Sequence, residues 1–345
     1  VTATFDDEIR EQPAVLSRLL AEGRARVDEA AGHIRTRAPA FVVLAARGSS
    51  DNAARYAQYL FGVRNGLMVA LAAPSIVTRY GATPRLGAAL VIGISQSGQS
   101  PDVVAVLEEA RRQGASTLAL TNDDASPLAQ AAEFTLPLLA GQEHAVAATK
   151  TYSAQLMALA MLSAALDGSP AAWEELQATP GQVAAAISLN EAVSPAVRFW
   201  RAEQMVVLGR GYNLSTAFEI ALKLKETCGL LAEPYSSADF LHGPVALLDQ
   251  DLPVMVIAPS TASFEDLEAV IERARKQGAP LLAVSDAAAL LAGAETPLRL
   301  PPGVPEWLSP IVAVVPGQVF AGALAAARGM SPDAPPGLTK VTRTR

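Results

Sequence analysis

Two stretches lying 164 residues apart carry the reading of the fold: EARRQGASTLALTN, from Glu109 to Asn122, and RARKQGAPLLAVSD, from Arg273 to Asp286. They align without a gap and share an Ala-Arg-basic-Gln-Gly-Ala core with matching apolar positions. Upstream, at nearly the same offset, FVVLAARGSS beginning at Phe41 matches QMVVLGRGYN beginning at Gln204, each an apolar run closing on Arg-Gly. The period is far longer than the roughly 20 to 50 residues of a solenoid unit. With 345 residues, too many for one ordinary core, the chain reads as two duplicated domains, each with its own core.

Within each copy, short continuous apolar runs alternate with longer amphipathic stretches, the pattern of βαβ units around a parallel sheet buried on both faces. Strands are predicted near 41–46, 67–72, 88–94, 116–121 and 134–138, and again near 204–209, 252–258, 280–285 and 297–300. Helices are predicted between them, notably at 51–62, 101–113, 150–166, 215–228 and 264–277. The expected fold class is α/β, two tandem parallel sheets flanked by helices in flavodoxin-like αβα sandwiches. The organisation expected is a helical arm (1–38), a first domain (39–170), a helical connector (171–197), a second domain (198–330) and a Pro/Gly-rich tail (331–345).

Half of the residues are hydrophobic and 18% are charged, which argues against disorder. A formal charge of −7 gives no general pull toward nucleic acid or anionic membrane, so an anionic ligand needs a local site. Cys228 is the only cysteine, and His33, His144 and His242 are the only histidines and lie far apart. A disulfide framework, a thiolate zinc site and a His-rich metal centre are therefore not expected. The acidic opening lacks the features of a secretory signal, and a cytoplasmic protein without nucleic-acid or membrane partners is expected.

In open parallel α/β sheets, ligands bind beyond the carboxyl ends of the strands. After the strand AALVIGI come Ser95-Gln96-Ser97-Gly98-Gln99-Ser100 and a helix start at Pro101-Asp102. Hydroxyls, a glycine permitting close approach and unpaired helix-start N–H groups supply many donors to a phosphate without a basic residue. A polar turn with N-capping serines has the same composition. Placement after a buried strand favours the phosphate reading, as does loss of the pattern in the sister stretch Pro259 to Ser263, so one phosphate site per chain is predicted. Gly48-Ser49-Ser50, after the first strand, is the weaker candidate, with serine there capping the helix that starts near Asp51, contacting the same phosphate, or doing both.

From Ala217 to Pro244 the chain reads AFEIALKLKETCGLLAEPYSSADFLHGP. On a helix over 215–228, Glu219, Lys223 and Glu226 share one face at i, i+4 and i+7. A solvated Glu–Lys face is the commonest fate of such spacing. The apolar neighbours point the other way, toward a carboxylate able to act as general base or acid. His242-Gly243-Pro244 sits in a turn, where catalytic groups concentrate. Glu143, Ala148 and the Thr149-Lys150 helix start, with Gly48 and Ser49, are candidates for the border of the ligand pocket.

These stretches together resemble the sugar isomerase (SIS) domain superfamily, and more closely the isomerase half of glutamine–fructose-6-phosphate amidotransferases. The resemblance rests on Gly48-Ser49-Ser50, Ser95 to Gly98, Ala147-Ala148-Thr149-Lys150, Ala221 to Glu226, Leu241-His242-Gly243-Pro244 and Asp333 to Thr342, in order along nearly the whole chain. It implies that Ser50, Ser95, Gln96, Ser97 and Ser100 hold a sugar phosphate, and that Glu226 moves a proton between C1 and C2 beside its helix companions Lys223 and Glu219. It further implies that His242 opens the sugar ring, in the active site of a neighbouring subunit, and that Lys340 closes over the sugar. A homodimer with shared active sites and no cofactor follows from it.

Three departures from the family pattern stand out. No cysteine precedes Cys228, so release of ammonia from glutamine is not expected. Gln99 replaces the usual acidic residue and Ser100 the usual threonine. Pro336 and Ala148 stand where relatives often carry arginine and a hydroxyl. The resemblance extends to double-SIS aminosugar-phosphate deaminases, which implies conversion of glucosamine 6-phosphate, or an epimer, to the ketose phosphate and ammonia. A fructosamine-phosphate deglycase, a plain aldose–ketose isomerase and a non-catalytic sugar-phosphate sensor are the alternatives.

Overall fold

The computed structural model describes residues 4–191, 199 and 201–340. The chain forms two compact units. The first comprises Ala14–Glu143, Lys150–Ala178 and the described tail residues Thr339 and Lys340. The second comprises the described residues through Pro13, His144–Thr149 and Thr179–Leu338. The expected arm is one helix, α1 (Phe5–Arg37), with Pro13 inside it, and it contributes to both units. The expected connector is helical over Pro170–Asn190, while residues 192–198 lie outside the described residues.

The first unit is built on five parallel strands: β1 (Phe41–Ala45), β2 (Val69–Leu71), β3 (Ala89–Ile94), β4 (Ser116–Thr121) and β5 (Phe134–Pro137), in the order β2-β1-β3-β4-β5. This doubly wound order puts the reversal of connection at β1 and β3, whose carboxyl ends open the crevice where ligands bind. Every residue of β3 and β4 is buried, as expected for strands covered on both faces. Two helices follow the strands that flank the reversal, α2 (Ser49–Asn65) after β1 and α3 (Pro101–Arg112) after β3. The buried stripe Val103, Val106, Leu107 and Ala110 of α3 packs with Val43, Ala45 and Val91 of the sheet. Helix α4 (Lys150–Asp167) is buried at every position from Lys150 to Ala165. An apolar helix without a polar face is stable only in such a place.

The second unit repeats the plan. Its strands β6 (Gln204–Gly209), β7 (Leu231–Ser236), β8 (Val254–Ile257), β9 (Leu281–Ser285) and β10 (Thr296–Arg299) are all parallel, in the order β10-β9-β8-β6-β7. Counted within each copy, the two sheets have the same strand order, as a duplication requires. Strand β7 is absent from the sequence-based expectation. It carries Glu233 and Pro234 and lies at the sheet edge, where a proline costs no ladder hydrogen bond, so it shows no continuous apolar run.

Helix α5 (Leu214–Cys228) follows β6, a short helix α6 (Ser237–Leu241) follows β7, and α7 (Glu265–Gln277) follows β8. The stripe Leu267, Val270, Ile271 and Ala274 of α7 packs on Val206, Leu208, Val254 and Val256. Helix α8 (Ser309–Ala327) belongs to the one described segment long and apolar enough to cross a membrane, yet that segment is mostly buried in the unit. It presses against α5 through Gly317, where a β-carbon would come within 2.3 Å of Ile220 Cδ1. That close approach fixes the helix carrying the candidate base.

Candidate active site

The loop from Ser95 to Ser100 follows β3 directly and delivers the chain to α3 with Pro101 in the first turn. Ser95 is buried, its hydroxyl lies 3.4 Å from that of Ser100, and it accepts the Gly98 N–H at 3.2 Å. The Gln99 N–H reaches Ser97 Oγ at 3.3 Å. Gly98 takes φ +63°, and a β-carbon there would lie 2.1 Å from Ser126 Oγ and 2.9 Å from Thr121 Oγ1. Only glycine fits both the backbone and the space. The loop is thus folded by its own serines, with Ser95 and Ser100 brought together at the carboxyl end of β3.

Gly48, Ser49 and Ser50 form the turn from β1 into α2, with Gly48 at φ +56°. Ser50 is buried and its Oγ accepts a hydrogen bond from Gln155 Nε2 at 2.9 Å. Gln155 is itself buried in α4, and its Oε1 has no hydrogen-bond partner among the described residues. The two strand-end loops are tied together by Arg47, whose Nε donates to Asp102 Oδ2 at 2.8 Å. None of Arg47, Asp102 and Gln155 was a sequence-based candidate. The available signal for Gln155 was an amide within an apolar helix.

In the second unit, α5 carries the three ionisable groups of the predicted stripe, and the solvated-face reading does not hold. Lys223 and Glu219 have no exposed side-chain surface, and Lys223 Nζ lies 3.4 Å from Glu219 Oε1 and 2.5 Å from Glu226 Oε2. Glu226, 23% exposed, is the member of the cluster that opens to solvent. An ammonium locked between two carboxylates holds both in place, and the accessible one can exchange a proton with a bound molecule. Cys228 closes the helix. Burial pushes its thiol above the ordinary value and its Sγ donates to the Ala321 carbonyl, which marks a packing residue.

His242 stands exposed at the end of α6, its N–H bonded to the Asp239 carbonyl. Glu143 is buried, and its carboxylate does structural work at the start of α4, accepting the Thr151 N–H at 3.1 Å and the Thr151 hydroxyl at 2.7 Å. The same carboxylate meets Lys340 Nζ at 2.7 Å, so these two candidates are paired within the first unit. Ala148 and buried Thr149 belong to the second unit. Their strip is anchored there by Glu8, which accepts the His144 and Ala145 N–H groups, and by the Asp333 carbonyl, which accepts that of Val146.

Comparison with known proteins gives these features a context. The SIS domain family matches residues 39–165 and 198–328. The chain is 38% identical over 261 residues to the glutamine–fructose-6-phosphate aminotransferase (isomerizing) of Thermococcus kodakarensis, covering 73% of this chain and 43% of that protein. It is 34% identical to the corresponding protein of Gloeobacter violaceus, covering 96% of this chain and 57% of that one. The chain therefore spans about half the length of the curated relatives it matches. Among solved structures, a protein of Silicibacter pomeroyi provisionally assigned as a phosphosugar isomerase is 36% identical, with a TM-score of 0.88 over 96% of this chain and all of that one. The glucosamine-6-phosphate deaminase of Thermotoga maritima shares the fold, with a TM-score of 0.77 at 23% identity over 98% of each chain.

Proposed function

From a chain that belongs to the SIS domain family, in two copies, and is homologous to the isomerase part of glutamine–fructose-6-phosphate aminotransferase, we propose an aminosugar-phosphate deaminase. It converts glucosamine 6-phosphate, or an epimer, to the ketose 6-phosphate and ammonia. The observation that carries the reading is the buried Glu219–Lys223–Glu226 cluster. A fully desolvated lysine between two carboxylates, one of them partly open, suits proton transfer better than binding alone.

In this reading the serine loop at 95–100 and Ser50 hold the phosphate, which provides binding energy remote from the reacting carbons and orients the open-chain sugar. His242 assists ring opening, and its exposed turn suits a homodimer in which it serves the neighbouring subunit. Glu226 removes the C2 proton of the aldehyde form, O1 takes a proton from the substrate's own ammonium to give an enolamine, and Glu226 returns its proton to C1. The product carries a CH2OH at C1 and an iminium at C2. Water adds to C2, ammonia leaves, and the ketose phosphate remains. Lys223 holds Glu226 in its working position throughout.

The test is incubation of the purified protein with glucosamine 6-phosphate, following ammonia and fructose 6-phosphate together by coupled assay. Stoichiometric appearance of both is expected. Glu226→Gln should abolish turnover while calorimetric binding of the phosphosugar persists. Interconversion of unaminated aldose and ketose phosphates without ammonia release would replace the deaminase by a plain isomerase. Binding without any turnover would leave a sensor or a deglycase.

A further inference from the structure

The loop at 95–100 offers neutral donors only, whereas a phosphate monoester carries nearly two negative charges at neutral pH. We infer that Arg47 is the cation of this phosphate site and that Asp102 is the positioning residue that aims it. The inference rests on the phosphosugar reading above. Arg47 immediately precedes Gly48-Ser49-Ser50, and its Nε reaches across to Asp102 at the start of α3, two residues beyond Ser100. Asp102 is 1% exposed in its side chain, and its other carboxylate oxygen accepts the Val103 N–H at 2.9 Å, so the carboxylate is fixed. Arg47 is half exposed, and Nε is the only guanidinium nitrogen bonded among the described residues. Its two terminal nitrogens, with four N–H donors in a planar fork, remain to meet an oxyanion.

The second copy supplies an internal control. Arg210, the counterpart of Arg47, donates through Nε to Asp266 at 3.1 Å, the counterpart of Asp102. In the same copy, the loop after β8 has two of its backbone donors taken by carboxylates of the chain. The Ser263 N–H donates to Glu306 Oε1 at 3.3 Å and the Ser260 N–H to Asp286 Oδ1 at 2.7 Å. In this copy the chain's own carboxylates thus occupy donors of the loop. In the first copy, among the described residues, no hydrogen bond from residues 95–100 goes to a carboxylate. The same scaffold there is left for a phosphate from outside.

The experiment measures calorimetric affinities of the full chain for glucosamine 6-phosphate, inorganic phosphate and glucosamine, with thermal unfolding as a check on folding. Arg47→Met should weaken both phosphate-bearing ligands by about 10-fold or more, the scale of a lost charge-assisted hydrogen bond, and leave glucosamine unchanged. Arg47→Lys should recover part of the loss, and Asp102→Asn should weaken the same two ligands less than Arg47→Met. The second ionisation of bound glucosamine 6-phosphate, followed by phosphorus NMR, should move upward in Arg47→Met, a readout that a merely structural role would not shift. Arg210→Met should match the wild type. Equal phosphate affinities in wild type and Arg47→Met would overturn the inference while leaving the enzyme reading intact. Arg47-dependent binding of inorganic phosphate without binding of glucosamine 6-phosphate would uphold the inference and remove the sugar assignment. A wild type that binds neither would overturn both.

Discussion

Replacing Lys223 by methionine isolates what the buried cluster contributes, because methionine fills most of the same volume without the charge. Lys223 and Glu219 are both fully buried at 3.4 Å. At an effective dielectric constant of about 20, a pair at that distance attracts by roughly 5 kcal/mol. The contact with Glu226 is shorter but partly open to water, and screening reduces its share. Removing the ammonium leaves Glu219 charged without its closest cation, and breaking one partner of a buried pair costs about 3–5 kcal/mol. With urea slopes of about 1–3 kcal/mol per molar, the unfolding midpoint should fall by at least about 1 M, read by tryptophan fluorescence. Glu219→Gln/Lys223→Met should recover most of the loss, since an uncharged glutamine tolerates burial better than a carboxylate that has lost its ammonium. A single variant within about 0.5 kcal/mol of wild type, or a double variant no more stable than the single, would refute the claim that the cluster is held by buried charge.

Three further outcomes follow from named contacts. Gly98→Ala, at φ +63° and against Ser126 and Thr121, should destabilise by about 1–2 kcal/mol from the backbone plus about 1–3 kcal/mol from overpacking. Glucosamine 6-phosphate affinity should fall with it, and an unchanged thermal midpoint and affinity would contradict the loop geometry. Asp6 has its carboxyl raised above 3.8, chiefly by burial, with Asp333 adding to the rise and Arg10 opposing it. The protonated form is therefore favoured by folding below the unfolded value and that benefit is lost as pH rises through the folded one, so Asp6→Asn should raise Tm slightly at pH 7 and not below about pH 4. Glu143→Gln should free Lys340 from its ion pair; trypsin cleavage after Lys340 should quicken by about 3-fold or more, measured by mass spectrometry, and equal cleavage rates would mean that the pair does not hold the tail.

Much of the fold was legible because parallel strands buried on both faces write themselves as apolar runs, and because the duplicated α3-to-β4 and α7-to-β9 segments kept their residues. Strand β7 was not legible, since an edge strand with Glu233 and Pro234 obeys neither an apolar run nor strict alternation. The serine loop and the Glu219–Lys223–Glu226 stripe were legible for local reasons, one following a buried strand and the other obeying helical spacing. The partners that hold these groups were not. Arg47 meets Asp102 across 55 residues and Gln155 meets Ser50 across 105. Glu143 meets Lys340 across 197. No periodicity links residues at such separations, and only the packed sheet brings them together.

The two copies have diverged in a complementary way. At an offset of 163 residues, the positions of Glu219, Lys223 and Glu226 on α5 correspond to Tyr56, Leu60 and Val63 on α2. Tyr56 and Leu60 are fully buried while Val63 is exposed, so the first copy uses the first two positions for packing and carries no carboxylate or ammonium at any of the three. Conversely, the first copy keeps the glycine-containing serine loop, and the second has lost it and lays Glu306 and Asp286 on the equivalent backbone donors. Two anions cannot share one set of donors, so a carboxylate plug forfeits phosphate binding at that crevice. A charged cluster buried on a helix likewise costs desolvation. Each copy therefore retains the costly feature that the other has dropped.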